Sequence, residues 1–60
     1  MYRVYKELTN EKGEVVHKCP MCRCTKLSVA MSQARVWSNG WPMGIYEIMA
    51  DGTEVKVMQM

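Results

Sequence analysis

The sixty-residue chain contains no phenylalanine, a single histidine and only three cysteines. Without phenylalanine, the large apolar volume must come from Trp37, Trp41, the three tyrosines and the seven methionines. Methionine fills irregular gaps and makes adaptable contacts, so the core is expected to be less sharply specified than one built on Phe and Leu. With His17 as the lone imidazole, a Cys/His nucleophile pair would have to form between near neighbours in sequence. That leaves no orienting third group and no walled cleft. No glycine-rich phosphate loop and no paired-carboxylate arrangement stands out. No apolar run approaches the roughly 18 residues of a membrane span, and nothing resembles a secretory leader. These absences point away from an enzyme and away from a membrane protein.

The cysteines, Cys19, Cys22 and Cys24, are an odd count within one short segment. A secreted disulfide framework uses an even count spread along the chain. A bridge inside this cluster would close a tiny loop and restrain the unfolded chain little. Reduced thiols and a cytoplasmic setting are expected.

Size sets the next limit. A chain this short buries only about 60% of the surface its unfolded form exposes. Apolar burial and chain entropy then nearly cancel. One small domain over residues 1–60 is expected, completed by a metal, a partner subunit or a larger binding partner. Two domains and any long parallel sheet with crossover helices are excluded.

The net charge of +2 is unevenly distributed. Residues 1–14 are neutral and residues 47–60 carry −2, while residues 15–46 carry +4 from Lys18, Arg23, Lys26 and Arg35, with no acid. An acid-free basic stretch bearing two tryptophans suits an acidic protein face or phosphates. The plainer reading is that four scattered cations are simply solvated.

Alternation places Tyr2, Val4 and Leu8 on one strand face and Tyr5 on the other. Thr9 to Gly13 is turn material, and Glu14 to Lys18 supplies a second strand. Gly44–Met49 and Thr53–Met58 flank Ala50-Asp51-Gly52, a strong hairpin signal. Between the hairpins, Leu27, Ala30, Met31 and Ala34 recur at helical spacing, with Thr25 as a possible cap and Asn39-Gly40 as a stop. A short helix over 28–37 is predicted, although Leu27–Ser32 also alternates well enough for a strand. The expected class is β-rich α+β: two antiparallel β-hairpins flanking one short helix or extra strand. A small all-β sheet or barrel is the alternative.

His17-Lys18-Cys19-Pro20-Met21-Cys22-Arg23-Cys24 is the only dense cluster of soft ligands. A C-P-x-C turn lets two thiolates converge on one metal, and zinc prefers four N/S ligands in a tetrahedron. His17, Cys19, Cys22 and Cys24 are therefore candidate ligands of one structural zinc, within the chain or shared across a dimer. Such an ion would contribute folding energy on the order of 10 kcal/mol. The segment resembles one half of a zinc ribbon, in which a C-P-x-C knuckle follows a β-hairpin. It departs from that pattern at Arg23, where a glycine commonly stands, and in lacking a second C-x-x-C. The competing reading makes the cysteines small, partly buried hydrophobes. A redox dithiol would need a βαβ context that this chain is too short to supply.

The function expected from these residues is that of a small non-enzymatic regulatory protein. It would dock on and modulate a protein partner, for example by inhibiting a nucleic-acid-handling machine. Its contact residues would be Arg23, Lys26, Arg35, Trp37, Trp41 and Met43, because Trp and Arg are over-represented in interface hot spots. Homo-oligomerisation is also expected, since it would enlarge an inadequate core. The alternative is a nucleic-acid-binding module with the half-ribbon knuckle, in which Trp41 stacks on an unpaired base.

Overall fold

A computed structural model describes all sixty residues. The elements run β1 (Tyr2–Thr9), β2 (Val15–Cys24), α1 (Leu27–Ser38), β3 (Met43–Ile48) and β4 (Glu54–Gln59). The strands form one antiparallel sheet in the order β2-β1-β3-β4. The fold is therefore α+β and β-rich, with two hairpins flanking one helix. The all-β alternative is not realised. Because β2 and β3 both pair antiparallel to β1, they run parallel to each other on either side of it, and α1 makes the crossover. No helix is long and apolar enough to cross a membrane.

The turns follow from local chemistry. In the first hairpin, Asn10 Oδ1 accepts hydrogen bonds from the amides of Lys12 at 2.9 Å and Glu14 at 3.0 Å. In the second, Asp51 Oδ1 accepts from the Thr53 amide at 2.9 Å, while Gly52 adopts a φ of 91° that side-chain-bearing residues rarely reach.

Helix wins over strand in the middle because its small residues fit the sheet. Ala30 and Ala34 are fully buried, and Leu27 and Met31 pack beside them. This is an i, i+3, i+4, i+7 stripe. The observed limits extend the predicted helix by one residue at each end. The expected cap is corrected: Lys26, not Thr25, occupies the N-cap position, and no side chain caps the helix there. The stop is as read, with Asn39 at a left-handed φ of 45° and Gly40 following.

Strand β2 differs more. It continues through Cys19-Pro20-Met21-Cys22 to Cys24 rather than ending at Lys18. Its position at the sheet edge tolerates Pro20, which lacks an amide donor. A register shift opposite Val4 and Tyr5 leaves Met21 as an extra, unpaired residue.

The helix-side core consists of Val4, Cys24, Ala30, Ala34, Met43 and Ile45, with Tyr2, Met21, Cys22, Leu27, Met31 and Met58 packed around it. Only nine of sixty residues are buried, so the small core anticipated from length is what the fold builds. The molecule is two layers, with a shortest extent of 15 Å. Helix α1 touches β1, β2 and β3 but not β4, and the opposite sheet face carries no second layer.

Candidate functional site

Two surfaces hold the chemistry of this chain: the outer side of α1 with the turn after it, and the sheet face away from the helix. On α1, Val29 and Val36 fall on the side away from the buried Ala30 and Ala34, while Gln33 and Trp37, at i+3 and i+7 from Ala30, lie on the flank of the buried stripe. Val36 is 70% exposed. Trp37 beside it is 45% exposed, with its indole N–H donating to Gln33 Oε1 at 3.1 Å. That bond lays the ring along the helix surface.

After the stop at Asn39-Gly40, the Trp41 amide donates to the Ser38 carbonyl at 2.7 Å. This turn sets Trp41, 47% exposed, at the same end of the molecule. The Lys6 ammonium lies 5.7 Å from its ring centroid, a cation–π pair. Three of the eleven exposed large apolar side chains, Val29, Val36 and Trp37, lie on α1, which carries no acidic residue, and Trp41 follows just beyond its end.

The six expected contact residues are not brought together. Arg35, Trp37 and Trp41 lie at the C-terminal end of α1 or just beyond it. Lys26 is at the other end of the twelve-residue helix, about 16 Å away at 1.5 Å per residue. Arg23 pairs with Arg3, putting it on the sheet face away from α1. Met43 requires correction: it is fully buried, opposite Lys6 in the sheet and bonded through its backbone to Met60, so it belongs to the core. Val29, Val36 and Lys6 were missed. The sequence signal for the valines was their seven-residue spacing on the side opposite the alanine stripe.

The expected zinc knuckle is not formed, because its segment is a strand. Cys24, Cys22, Cys19 and His17 pair with Tyr2, Val4, Lys6 and Leu8 in turn. The four candidate ligands therefore sit on one side of β2, strung over about 20 Å at 3.3–3.4 Å per residue. No group of three or more His, Cys, Asp or Glu side chains converges as a metal site requires. As arranged, these residues do not fit a four-coordinate zinc within one chain. The Met21 bulge is what puts Cys19 and Cys22, an odd interval apart, on the same side.

The helix-free sheet face carries a polar network that sequence inspection passed over. Glu7 is fully buried there. It accepts hydrogen bonds from Tyr46 Oη at 2.7 Å and from Lys56 Nζ at 3.0 and 3.1 Å. Tyr5 Oη donates to Glu54 Oε1 at 2.6 Å, and Arg3 donates to Tyr5 Oη at 3.1 Å. The rings of Tyr5 and Tyr46 meet edge to face at 5.1 Å. Lys18 caps both, 4.6 and 4.1 Å from their centroids. No buried side-chain nitrogen or oxygen is left unpartnered. These groups satisfy one another, so the network holds the sheet rather than awaiting a substrate.

The protonation states agree with that role. Burial pushes the Glu7 carboxyl up, but hydrogen bonds from Tyr46 and Lys56 and the Lys56 charge outweigh it and hold the group below the ordinary value. Burial, followed by the hydrogen bond to Glu7, pushes the Tyr46 phenol up to about 12. Glu7 therefore contributes stability above the unfolded carboxylate value of about 4.3. That contribution is lost as pH falls through its lower folded value. The Tyr46 contribution is present below the unfolded phenol value of about 10. It disappears as pH rises through about 12. Urea denaturation across pH should show both limbs, and Tyr46→Phe should flatten the alkaline one. An alkaline limb unchanged in that variant would contradict the assignment. Comparison with protein-family models, curated proteins and solved structures finds no significant match to this chain.

Proposed function

We propose that this protein is a small non-enzymatic binding module that docks on an acidic, apolar-faced segment of a partner protein and so modulates that partner. The docking face is the outer side of α1 with Trp37 and Trp41, flanked by Arg35 and Lys6. The observation carrying this reading is the exposure of Val36, Trp37 and Trp41 at one end of an acid-free helix. Large apolar side chains gathered this way on a chain with so few buried residues are what an absent partner would cover. Arg35 and Lys6 favour a partner face of negative charge. Two copies meeting through this face would bring like charges together, which makes a heterotypic partner the better fit.

Affinity capture with chemical crosslinking, comparing the parent with Trp37→Ala and Trp41→Ala, tests the reading. A protein retained by the parent should be lost by Trp37→Ala, with a binding cost of about 2 kcal/mol or more in titration of the purified pair. The interaction should also weaken with salt. Equal capture by parent and variants, or no protein captured by the parent, would remove the basis for the proposal. A parent that sediments as a dimer dissociated by Trp37→Ala would replace the heterotypic partner with a second copy.

A nucleic-acid target is the second reading, favoured by the exposed Trp41 ring with Lys6 beside it. Base stacking on such a ring is worth about 1–3 kcal/mol and tolerates any sequence. Titration with single-stranded and duplex oligonucleotides at low salt separates the two. Saturable single-strand binding lost in Trp41→Ala favours this reading over the first.

A further inference from the structure

The sheet has two edges, β2 and β4, and only β4 is fit to take another strand. Strand β2 is interrupted by Pro20, which has no amide to donate, and by register shifts opposite Val4–Tyr5 and Leu8–Thr9. Strand β4 has a single shift, which leaves Val57 unpaired, and residues 53–56 ahead of it are regular. The Thr53 carbonyl accepts from the Met49 amide at 2.8 Å, so it points towards β3. By alternation Val55 also bonds inward, and the amides and carbonyls of Glu54 and Lys56 point outward from the sheet.

The side chains around this edge are equally open. Val55 shares the helix side of the sheet with Glu47 and Tyr2, but α1 does not reach β4, and Val55 is 48% exposed. A lysine ordinarily keeps an edge strand solitary. Here the Lys56 ammonium is drawn to Glu7, at 3.0 and 3.1 Å, and Glu54 is held by Arg3 and Tyr5. The Lys56 and Glu54 side chains still keep 33% and 25% of their exposure, so each can take a further partner.

The strand that fits this edge is β4 of a second copy. Residues directly opposite in a strand pair share a face, so a two-fold pairing with both helices on one side must be centred on a residue. Centring on Glu54 or on Lys56 would stack like charges, and centring on Val57 would put the irregular residue on the axis. Centring on Val55 sets Glu54 opposite Lys56 of the second copy, and Lys56 opposite its Glu54. Those residues carry the outward backbone groups, so each pair exchanges both hydrogen bonds. The two Val55 side chains then meet on the axis, on the side that α1 leaves uncovered.

We propose that the chain forms a two-fold dimer by antiparallel pairing of β4 with β4 of a second copy, centred on Val55, in one continuous sheet. This interface is separate from the docking face on α1 and leaves that face free in both copies.

Sedimentation velocity in reductant over a range of concentrations tests the dimer, and directed cross-linking tests its register. The parent should pass from monomer to dimer as concentration rises. Val55→Lys puts two ammonium groups on the axis and should raise the dimer dissociation constant about 100-fold or more. Far-UV circular dichroism establishes that this variant is folded. Trp37→Ala should dimerise like the parent, which separates this dimer from association through α1. Val55→Cys should oxidise to a dimer joined at residue 55 of both copies. A non-hydrogen-bonded pair has its Cα atoms about 4.5 Å apart, within disulfide range. Peptide mapping distinguishes that bond from any made by Cys19, Cys22 or Cys24. Thr53→Cys should not join to itself, since its copies lie about 14 Å apart along the strands at 3.4 Å per residue. The assignment is overturned by a parent that stays monomeric at every concentration, or by a dimer that Val55→Lys leaves intact. It is equally overturned by a dimer that Trp37→Ala dissociates, or by self-cross-linking of Thr53→Cys as readily as of Val55→Cys.

Discussion

Gly44→Ala is expected to unfold much of the population, although it adds a single methyl group to a strand. A Cβ at residue 44 would stand 2.7 Å from Glu7 Cδ and Oε2 and 2.9 Å from Oε1. Space is the reason for this glycine, since its backbone is in an ordinary strand. The carboxylate cannot step aside without giving up the hydrogen bonds from Tyr46 and Lys56. Overpacking costs about 1–3 kcal/mol. Disrupting a buried charge pair costs about 3–5 kcal/mol, and the partly exposed Lys56 places this pair toward the low end. A loss of about 3 kcal/mol or more is therefore expected. A chain of this size has about 3–9 kcal/mol in total. The melting temperature should fall by more than about 15 °C.

The double variant Glu7→Ala, Gly44→Ala distinguishes collision from a general intolerance of side chains at residue 44. With the carboxylate gone, the new methyl has room, so the pair should be less destabilised than the sum of the singles by about 1–3 kcal/mol. Urea denaturation of the four species measures this coupling. A Gly44→Ala protein within about 1 kcal/mol of the parent would show that Glu7 is not held as described.

Glu7 and Gly44 also show where sequence reading stops. Nothing in a linear chain announces that a glutamate will lie over a glycine 37 positions away. That contact exists only once β1 and β3 are paired with Tyr5 opposite Gly44. Local signals were sufficient elsewhere. Asp51-Gly52 marked the second hairpin through its backbone requirement, and Asn39-Gly40 marked the helix end for the same reason. The Leu27, Ala30, Met31, Ala34 stripe identified the buried side of α1. Strand β2 was read too short because the Met21 bulge breaks the two-residue alternation and Pro20 mimics a turn. Once β2 is continuous, a compact ligand knuckle becomes a line of side chains. Of the contact residues, Trp41 is legible as an exposed aromatic from its place between Asn39-Gly40 and Pro42, whereas Trp37 reads first as a core side chain standing in for the absent phenylalanine. Met43 was not legible as core, because its burial depends on pairing with Lys6 and on its backbone bonds to Met60.

The same aspartate, placed two residues apart on α1, should have opposite consequences. Ala34 is fully buried against the sheet, whereas Val36 is 70% exposed. Ala34→Asp puts a short carboxylate, unable to reach water along its own stem, into the small apolar core. The unpaired buried charge must either be neutralised or lift the helix away, and a cost of about 3 kcal/mol or more follows. Val36→Asp carries the same unfavourable placement near a helix C-terminus, worth about 0.3–1 kcal/mol. It loses almost no buried area, and valine and aspartate have similar helix propensities. Its stability should stay within about 1 kcal/mol of the parent. Folding and binding then separate. Val36→Asp keeps the fold while placing a negative charge in the docking face, so an acidic partner should be repelled as well as deprived of an apolar contact. Val36→Ala removes the contact without adding charge. A larger binding loss for Val36→Asp than for Val36→Ala, shrinking as salt is raised, is the signature expected of an acidic partner face. Equal losses at every salt concentration would mean that apolar packing alone holds the partner and that the basic middle of the chain plays no part.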